Sequence, residues 1–121
     1  MSEERKKFGD FGESLAAEFL ERKGYKIIER NFRRRFGEID LIAKKDGKII
    51  FIEVKSRKNR KYGTPEEAIT IWKKQRLRNA AFAFLQSHNH HDADFGIDGV
   101  FIEAFDGKYV IRHLENIVEE Q

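Results

Sequence analysis

The 121 residues include no cysteine, so the chain can form neither a disulfide bond nor a thiolate metal site. No apolar run approaches about 18 residues, the length needed to span a membrane as a helix. No apolar segment that could act as a signal peptide follows the charged residues near the N-terminus. These absences lead us to expect a cytoplasmic protein that does not cross a membrane.

Hydrophobic residues are plentiful enough for a folded domain. They make up 40% of the chain and include eleven phenylalanines, a composition unlike that of disordered proteins. A chain of 121 residues can bury a sizeable core but has no room for a second one. We therefore expect residues 1–121 to form a single domain.

Charge is distributed unevenly along the chain. Residues 1–78 hold 22 lysines and arginines against 13 acidic residues, whereas residues 79–121 hold 2 against 8. A basic excess of this kind indicates a surface that binds a polyanion such as nucleic acid. An ordinary solvated surface is an equally good interpretation of the charge alone.

Hydrophobic periodicity predicts an α/β domain with the order αβββαββ. The predicted helices cover residues 8–23 and 64–86, and a short third helix follows residue 114. The predicted strands cover residues 25–32, 38–44, 48–55, 97–105 and 108–113. We expect the helices to pack on a mixed sheet.

Short motifs set the boundaries of these elements. Asp-Gly at residues 46–47, and again at 106–107, is the strongest local signal for a tight β-hairpin. Residues 64–67 form a capping box with Pro65, the only proline, at the first helical position. Thr70 offers a second cap at which this helix can break and restart.

The first Asp-Gly turn fixes the register of its hairpin. With residues 46 and 47 as the loop, Asp40 lies opposite Glu53, and Glu38 lies opposite Lys55. The side-chain period of two places all four on one face, and opposed residues have Cβ atoms roughly 5 Å apart. Two carboxylates at that spacing repel each other unless a cation lies between them.

A hard divalent cation would relieve this repulsion. Mg²⁺ takes oxygen ligands, commonly one or two carboxylates together with water and phosphate. Lys55 would point into the same space and could orient a water molecule or stabilise developing negative charge. The alternative is a salt-bridged face exposed to solvent, since antiparallel sheets often have one wet face. The apolar sequence around Asp40 and Glu53 favours the metal site, because it indicates central strands.

Several motifs in a fixed order carry a resemblance to known proteins. An acidic residue on one strand, followed after a hairpin by Glu-Val-Lys on the next, resembles the PD-(D/E)xK nuclease superfamily. The chain is more closely similar to the YraN-type uncharacterised protein family, relatives of archaeal Holliday-junction resolvases. The matching motifs, spread over roughly residues 9–85, are Gly9-Asp10-Phe11-Gly12-Glu13, Gly24-Tyr25, Asn31-Phe32-Arg33, Gly37-Glu38-Ile39-Asp40-Leu41-Ile42-Ala43, Phe51-Ile52-Glu53-Val54-Lys55-Ser56-Arg57 and Gly63-Thr64-Pro65.

The resemblance implies a restriction-endonuclease-like fold and a metal-dependent endonuclease. Asp40 and Glu53 would hold Mg²⁺ or Mn²⁺ together with the Val54 carbonyl, and Lys55 would act near the attacking water. Glu13 would complete the catalytic site from the first helix. The substrate would be DNA, including branched or structured DNA. Resolvase relatives act as homodimers because a junction has two-fold symmetry.

Basic side chains near the site strands are candidates for binding nucleic acid. Those expected to contact phosphate, at the two ends of these strands, are Arg33, Arg34, Arg35 and Arg57. Lys73 shares a helix face with apolar residues and therefore points inward. It is either a lysine at the edge of the core or a contact to phosphate or to the site. Its neighbour Trp72 is expected to pack.

Two functions are open at the level of the sequence. The first is a Mg²⁺- or Mn²⁺-dependent endonuclease acting on DNA. The alternative is a non-catalytic nucleic-acid-binding module built on the same fold. Intact Asp40, Glu53 and Lys55 favour the enzyme, since a degenerate nuclease usually loses one of the three.

Overall fold

A computed structural model describes residues 3–90 and 93–118, with the side chains of Glu4 and Arg5 excepted. Within these residues, two α-helices and five strands follow one another in the predicted order. They are α1 (Glu3–Arg22), β1 (Lys26–Arg34), β2 (Gly37–Lys45), β3 (Lys48–Arg57), α2 (Ile71–Ser87), β4 (Phe95–Phe105) and β5 (Lys108–Leu114). In the part of the chain described, no helix is long and apolar enough to cross a membrane.

The five strands form one mixed sheet in the order β1-β2-β3-β4-β5. All neighbours are antiparallel except β3 and β4, which are parallel. A parallel pair needs a crossover connection, and the segment that contains α2 supplies it. The predicted α/β fold, with helices on a mixed sheet as in restriction-endonuclease-like proteins, is confirmed.

Each helix covers one face of the sheet with its own apolar cluster. On one face, Leu20 and its neighbours on α1 pack with Leu41 and Ile52. On the other, Leu77 and Phe84 of α2 pack with residues that include Phe51. Because both faces are covered, β2 and β3 are central strands, as their apolar sequences indicate.

Both predicted hairpin turns are present. Asp46 and Gly47 have φ values of 50° and 79°, and Asp106 and Gly107 have values of 50° and 75°. Positive φ at both central residues is the signature of the type I′ turn, whose twist matches that of the flanking strands. Lys45 accordingly pairs with Lys48, in the register that the turn predicts.

The second helix restarts where the sequence indicates. Thr64 and Glu67 bond each other reciprocally, with Thr64 N donating to Glu67 Oε1 at 3.0 Å and Glu67 N donating to Thr64 Oγ1 at 3.3 Å. This capping box opens only a 3₁₀ turn, Glu66–Ala68. Helix α2 then begins after Thr70, whose Oγ1 accepts a bond from Lys73 N at 3.1 Å.

The predicted helix after residue 114 is wrong for the residues that the structure describes there, 115–118, which contain no helix. Ile117 N instead donates to Ile97 O at 2.8 Å, and Val118 joins the core beside α2. Tertiary bonds to β4 therefore override the weak helical preference of this segment. Residues 119–121 lie outside the described part.

Candidate active site

The hairpin ladder between β2 and β3 stops next to the two acidic residues that the sequence pairs. Its last backbone pair is Leu41 with Ile52, so Asp40 and Glu53 occupy the next position of the same register. Beyond that point the strands separate. Val54 N donates at 2.8 Å to the Asp40 Oδ2 carboxylate oxygen rather than to a β2 carbonyl.

Strand β2 also loses its regular alternation at Asp40. Ile39 packs in the apolar cluster under α2, whereas Leu41 packs in the cluster under α1. Residues two apart on a regular strand share a face, so the strand must be irregular between them. This irregularity turns the Asp40 side chain into the gap where β2 and β3 part, toward the Val54 amide.

Glu53 is a carboxyl group held almost out of contact with water. It is 4% exposed, and its Oε2 lies 3.0 Å from Lys73 Nζ. Its Oε1 is buried without a hydrogen-bond partner among the described residues. Burial raises the pKa of Glu53, the Asp40 carboxylate raises it further, and Lys73 offsets only part of this rise.

Lys73 joins two acidic residues from α2. Besides Glu53, its Nζ lies 3.3 Å from Glu38 Oε1, and Arg33 Nη1 lies 2.5 Å from the other Glu38 oxygen. Burial opposes the charge on Lys73, yet the two carboxylates outweigh burial and raise its pKa. Partial burial works to raise the pKa of Glu38, but the charges and hydrogen bonds of Lys73 and Arg33 outweigh it and leave that pKa lowered.

The position predicted for Glu38, opposite Lys55, is therefore corrected. The ladder ends before it reaches that pair, so Glu38 turns to Arg33 and Lys73 instead. Lys55 lies two residues beyond Glu53 on β3, partly exposed. Its ammonium makes no ion pair or hydrogen bond with any residue that the structure describes. Lys73, for which the sequence left open a place at the edge of the core or a contact to phosphate or to the site, contacts Glu53 and Glu38.

Glu13 reaches the same region from α1. Burial raises the pKa of Glu13 to about 7, with a further contribution from the negative charge of Asp40. The helix comes close to β3 here because Gly12 has no side chain. A Cβ at that position would lie 2.1 Å from Ser56 Oγ, so a larger residue would push α1 and Glu13 outward.

The basic residues predicted to contact nucleic acid differ in the contacts that their side chains make within the protein. Arg33 is paired with Glu38. The Arg34 guanidinium lies 4.1 Å from the centre of the Phe32 ring, and the Arg35 guanidinium lies 5.3 Å from that of Phe36. Arg57 has a buried Nε without a partner among the described residues.

The donor set suits a hard divalent cation. Within residues 3–90 and 93–118, no group of three or more His, Cys, Asp or Glu side chains could hold an ion alone. Asp40 and Glu53 nevertheless offer a carboxylate pair that includes a buried, unpartnered oxygen. Mg²⁺ is commonly bound by one or two carboxylates, with water and phosphate completing its shell. The residues present therefore fit the metal that the resemblance implies.

Sequence reasoning missed two features near the site. The contact of Lys73 with Glu38 depends on where α2 lies on the sheet, which no local pattern specifies. The expectation that Trp72 packs is wrong, since its side chain is 78% exposed. An exposed tryptophan at the second position of a helix has no signature that separates it from a packed one.

The fold and the carboxylate pair together define a class of protein: a five-stranded α/β domain of the restriction-endonuclease-like type, with acidic residues where its central hairpin opens. The chain belongs to Uncharacterised protein family UPF0102, whose family model matches residues 12–104. This is the YraN-type family that the sequence motifs indicate. The matched range includes every residue predicted for the site.

Curated relatives match nearly the whole chain. A UPF0102 protein of Syntrophomonas wolfei is 45% identical over 111 residues, which cover 92% of this chain and 96% of the relative. One of Symbiobacterium thermophilum is 44% identical over 112 residues, covering 92% and 95%. One of Geobacter metallireducens is 42% identical over 120 residues, covering 98% of both.

Proposed function

We propose that this protein is an endonuclease that uses Mg²⁺ or Mn²⁺ to hydrolyse phosphodiester bonds in DNA, including branched or structured DNA. The observation that supports this most is the placement of the Asp40 carboxylate beside a Glu53 that is only 4% exposed. Two acidic groups so placed disfavour each other's ionisation. Ionisable groups with shifted pKa values cluster at functional sites, because catalysis needs buried or closely spaced charged groups that reduce the stability of the fold.

The roles follow from where the groups lie. Asp40 and Glu53 would hold the metal together with the Val54 carbonyl. When bound, the metal would polarise the phosphodiester and lower the pKa of a coordinated water. Lys55 would orient the attacking water, since its ammonium has no other partner in the described residues. The water oxygen would give up a proton as it bonds to phosphorus, while the bond from phosphorus to the leaving oxygen breaks. The leaving oxygen would take up a proton, so that the net reaction consumes one water molecule.

Glu13 and the basic residues would support this step. A carboxyl group whose pKa is raised to about 7 can take up and release protons near neutrality, as a general acid or base must. Arg34, Arg35 and Arg57 would contact phosphates, with Lys73 able to turn from Glu53 toward the strand being cut. A homodimer would match the two-fold symmetry of a four-way junction.

One observation favours a second candidate, a nucleic-acid-binding module without catalysis. Lys73 already places a positive charge 3.0 Å from Glu53, so the acidic pair is partly neutralised without any metal. A protein that had lost cleavage could retain such an internal counter-ion and still present its basic surface to nucleic acid.

Cleavage of a panel of linear, flapped and four-way DNA substrates with Mg²⁺ or Mn²⁺ separates the two candidates. We expect cleavage by the wild type and none by Asp40→Asn or Glu53→Gln. Lys55→Ala should keep the rise in melting temperature that Mn²⁺ gives, because Lys55 is not a ligand, but should lose cleavage. A wild type that cuts nothing and gains no thermal stability from Mn²⁺ would leave the binding module as the better account.

A further inference from the structure

Two large aromatic side chains near the candidate site are exposed to solvent. Trp72 is 78% exposed and Phe36 is 65% exposed, and Ile71 beside Trp72 is 77% exposed. Tryptophan and phenylalanine bury much of their surface in most folded proteins. Exposed apolar groups that lie together mark a binding surface more often than singly scattered ones do.

The backbone of Phe36 contacts α2 on the side of the helix where Trp72 lies. Asn79 Nδ2 donates to the backbone carbonyl of Phe36 at 3.4 Å, so the backbone of Phe36 lies beside the middle of the helix. Trp72 precedes Asn79 by seven residues, so it lies two turns away on the same side, about 10 Å along the axis. We call Phe36 and Trp72 together the aromatic rim.

The aromatic rim borders the acidic site. Lys73, which follows Trp72 directly, has its Nζ 3.0 Å from Glu53 and 3.3 Å from Glu38. Glu38 in turn follows Phe36 by two residues on the chain. A polymer bound across the rim would therefore reach the carboxylate pair within a few of its own repeats.

The charges around the aromatic rim identify the kind of polymer. The Arg35 guanidinium lies 5.3 Å from the Phe36 ring centre. Arg76 is exposed and follows Trp72 by four residues, so it lies on the same side of α2. Aromatic rings interleaved with cations are the usual design of surfaces for single-stranded nucleic acid, where bases stack and phosphates pair with the cations. The core of a protein–protein interface is instead depleted of charged residues other than arginine.

We propose that the aromatic rim stacks on unpaired bases of a nucleic acid strand that leads into the carboxylate site. Within the branched or structured DNA proposed above, the substrate class is then nucleic acid with a single-stranded segment beside the bond to be cut, rather than a fully paired duplex. In paired nucleic acid the faces of the bases are covered by their neighbours, so the rim cannot stack on them. This inference rests on the proposed function of the neighbouring carboxylates.

The test uses Trp72 as its own reporter, because it is the only tryptophan in the chain. The full chain is titrated in EDTA, so that nothing is cut, with an oligothymidylate and with a duplex of equal length. We expect the single strand to quench tryptophan fluorescence and to bind more tightly than the duplex. Phe36→Ala should weaken single-strand binding about 5- to 150-fold, the range for losing one base stack. Trp72→Ala should weaken it by a similar factor. Because this variant lacks the tryptophan, its binding is measured by the fluorescence anisotropy of a labelled strand.

Phe105→Ala provides the matched control. Phe105 is 73% exposed but lies six positions beyond Gly99, the β4 residue that pairs with Glu53, which is about 20 Å along the strand. Its substitution should leave binding unchanged. The inference is overturned if fluorescence does not respond, if duplex and single strand bind equally, or if both rim variants bind like the wild type. A change in oligomeric state of the rim variants without a change in single-strand binding would assign the surface to a second copy of the chain and also overturn it.

Cleavage assays distinguish this inference from the proposed function. If the protein cuts nothing in Mn²⁺, but a single strand quenches its tryptophan fluorescence and the rim variants bind that strand more weakly, the aromatic rim is upheld and the nuclease is refuted. A wild type that cuts paired and unpaired DNA equally, with Trp72→Ala and Phe36→Ala cutting as fast, would uphold the nuclease and refute the rim.

Discussion

The amide of Val54 donates a 2.8 Å hydrogen bond to the carboxylate of Asp40. The bond joins β3 to β2 where the backbone ladder between them has ended. Asp40 is thus both a candidate metal ligand and the acceptor that satisfies an amide left without a carbonyl. These two roles respond differently to substitution.

Asp40→Asn and Asp40→Ala should therefore differ in stability although both abolish metal-dependent cleavage. Asparagine keeps an oxygen that can accept the Val54 bond, whereas alanine leaves the amide unpaired at a cost of about 1 kcal/mol or more. Both changes relieve repulsion with Glu53 equally. Urea denaturation without metal should show Asp40→Asn at least as stable as the wild type and Asp40→Ala less stable than Asp40→Asn. Equal stability of the two variants would mean that the Val54 bond contributes nothing.

Lys73 should be coupled energetically to Glu53. In a double-mutant cycle, Lys73→Met and Glu53→Gln should show an interaction energy of about 0.5–3 kcal/mol, the range for residues in direct contact. Lys74→Met is the control, since Lys74 is exposed on the same helix. The rise in melting temperature on adding Mn²⁺ should be larger in Lys73→Met than in the wild type, because the metal then replaces a missing cation. A rise no larger than in the wild type would count against Lys73 as the internal counter-ion.

Glu13 should make stability depend on pH. Its pKa is about 7 in the folded protein against an ordinary value of 4.5, so between these values the folded state binds more protons than the unfolded state. Stability contributed by the protonated group is then present at low pH and lost as pH rises toward 7. Glu13→Gln should match the wild type near pH 4.5 and exceed it in stability at pH 8, as measured by urea denaturation. Glu21→Gln, at an exposed position of the same helix, should keep the wild-type profile. Parallel profiles for wild type and Glu13→Gln would contradict the raised pKa.

Arg33, Arg34 and Arg35, the basic residues at the turn between β1 and β2, should contribute unequally to nucleic-acid binding. Arg34 and Arg35 should contribute more than Arg33. All three side chains are exposed, but the Arg33 guanidinium is paired with the Glu38 carboxylate, whereas those of Arg34 and Arg35 lie near aromatic rings. Arg34→Gln/Arg35→Gln should lower the slope of log K against log salt by roughly 1.8, at about 0.9 per phosphate contact. Arg33→Gln alone should lower it less. Binding isotherms on duplex or single-stranded DNA between 50 and 200 mM salt, the range in which about 0.9 per contact is readily resolved, provide the measurement. A slope that the double change leaves unaltered removes this turn from the binding surface.

Local signals in the sequence were enough for the hairpins and their register. Asp-Gly specifies a type I′ turn by itself, and the turn at residues 46–47 then places Asp40 beside Glu53 without any knowledge of the rest of the fold. The element order and the restart of α2 at Thr70 follow from signals of the same kind.

The remaining features depend on contacts between distant segments. Glu38 turns to Lys73 because α2 lies across the sheet at that point, and residues 115–118 lack a helix because Ile117 bonds to Ile97. Trp72 is exposed because no element within the described ranges covers the start of α2 on that side. Periodicity reports which face of an element is apolar, but not which neighbour covers it.

The topology of the sheet has a consequence for the order in which the chain folds. Lys45 pairs with Lys48 across a two-residue turn, whereas Ile49 pairs with Phe95, 46 residues later. Closing a short loop costs less entropy than closing a long one, so the hairpin of Asp40 and Glu53 can form before α2 docks and supplies Lys73. During folding, Asp40 and Glu53 would then be brought together and repel each other before Lys73 is in place to offset that repulsion. We expect a divalent cation to speed folding as well as to bind the finished site.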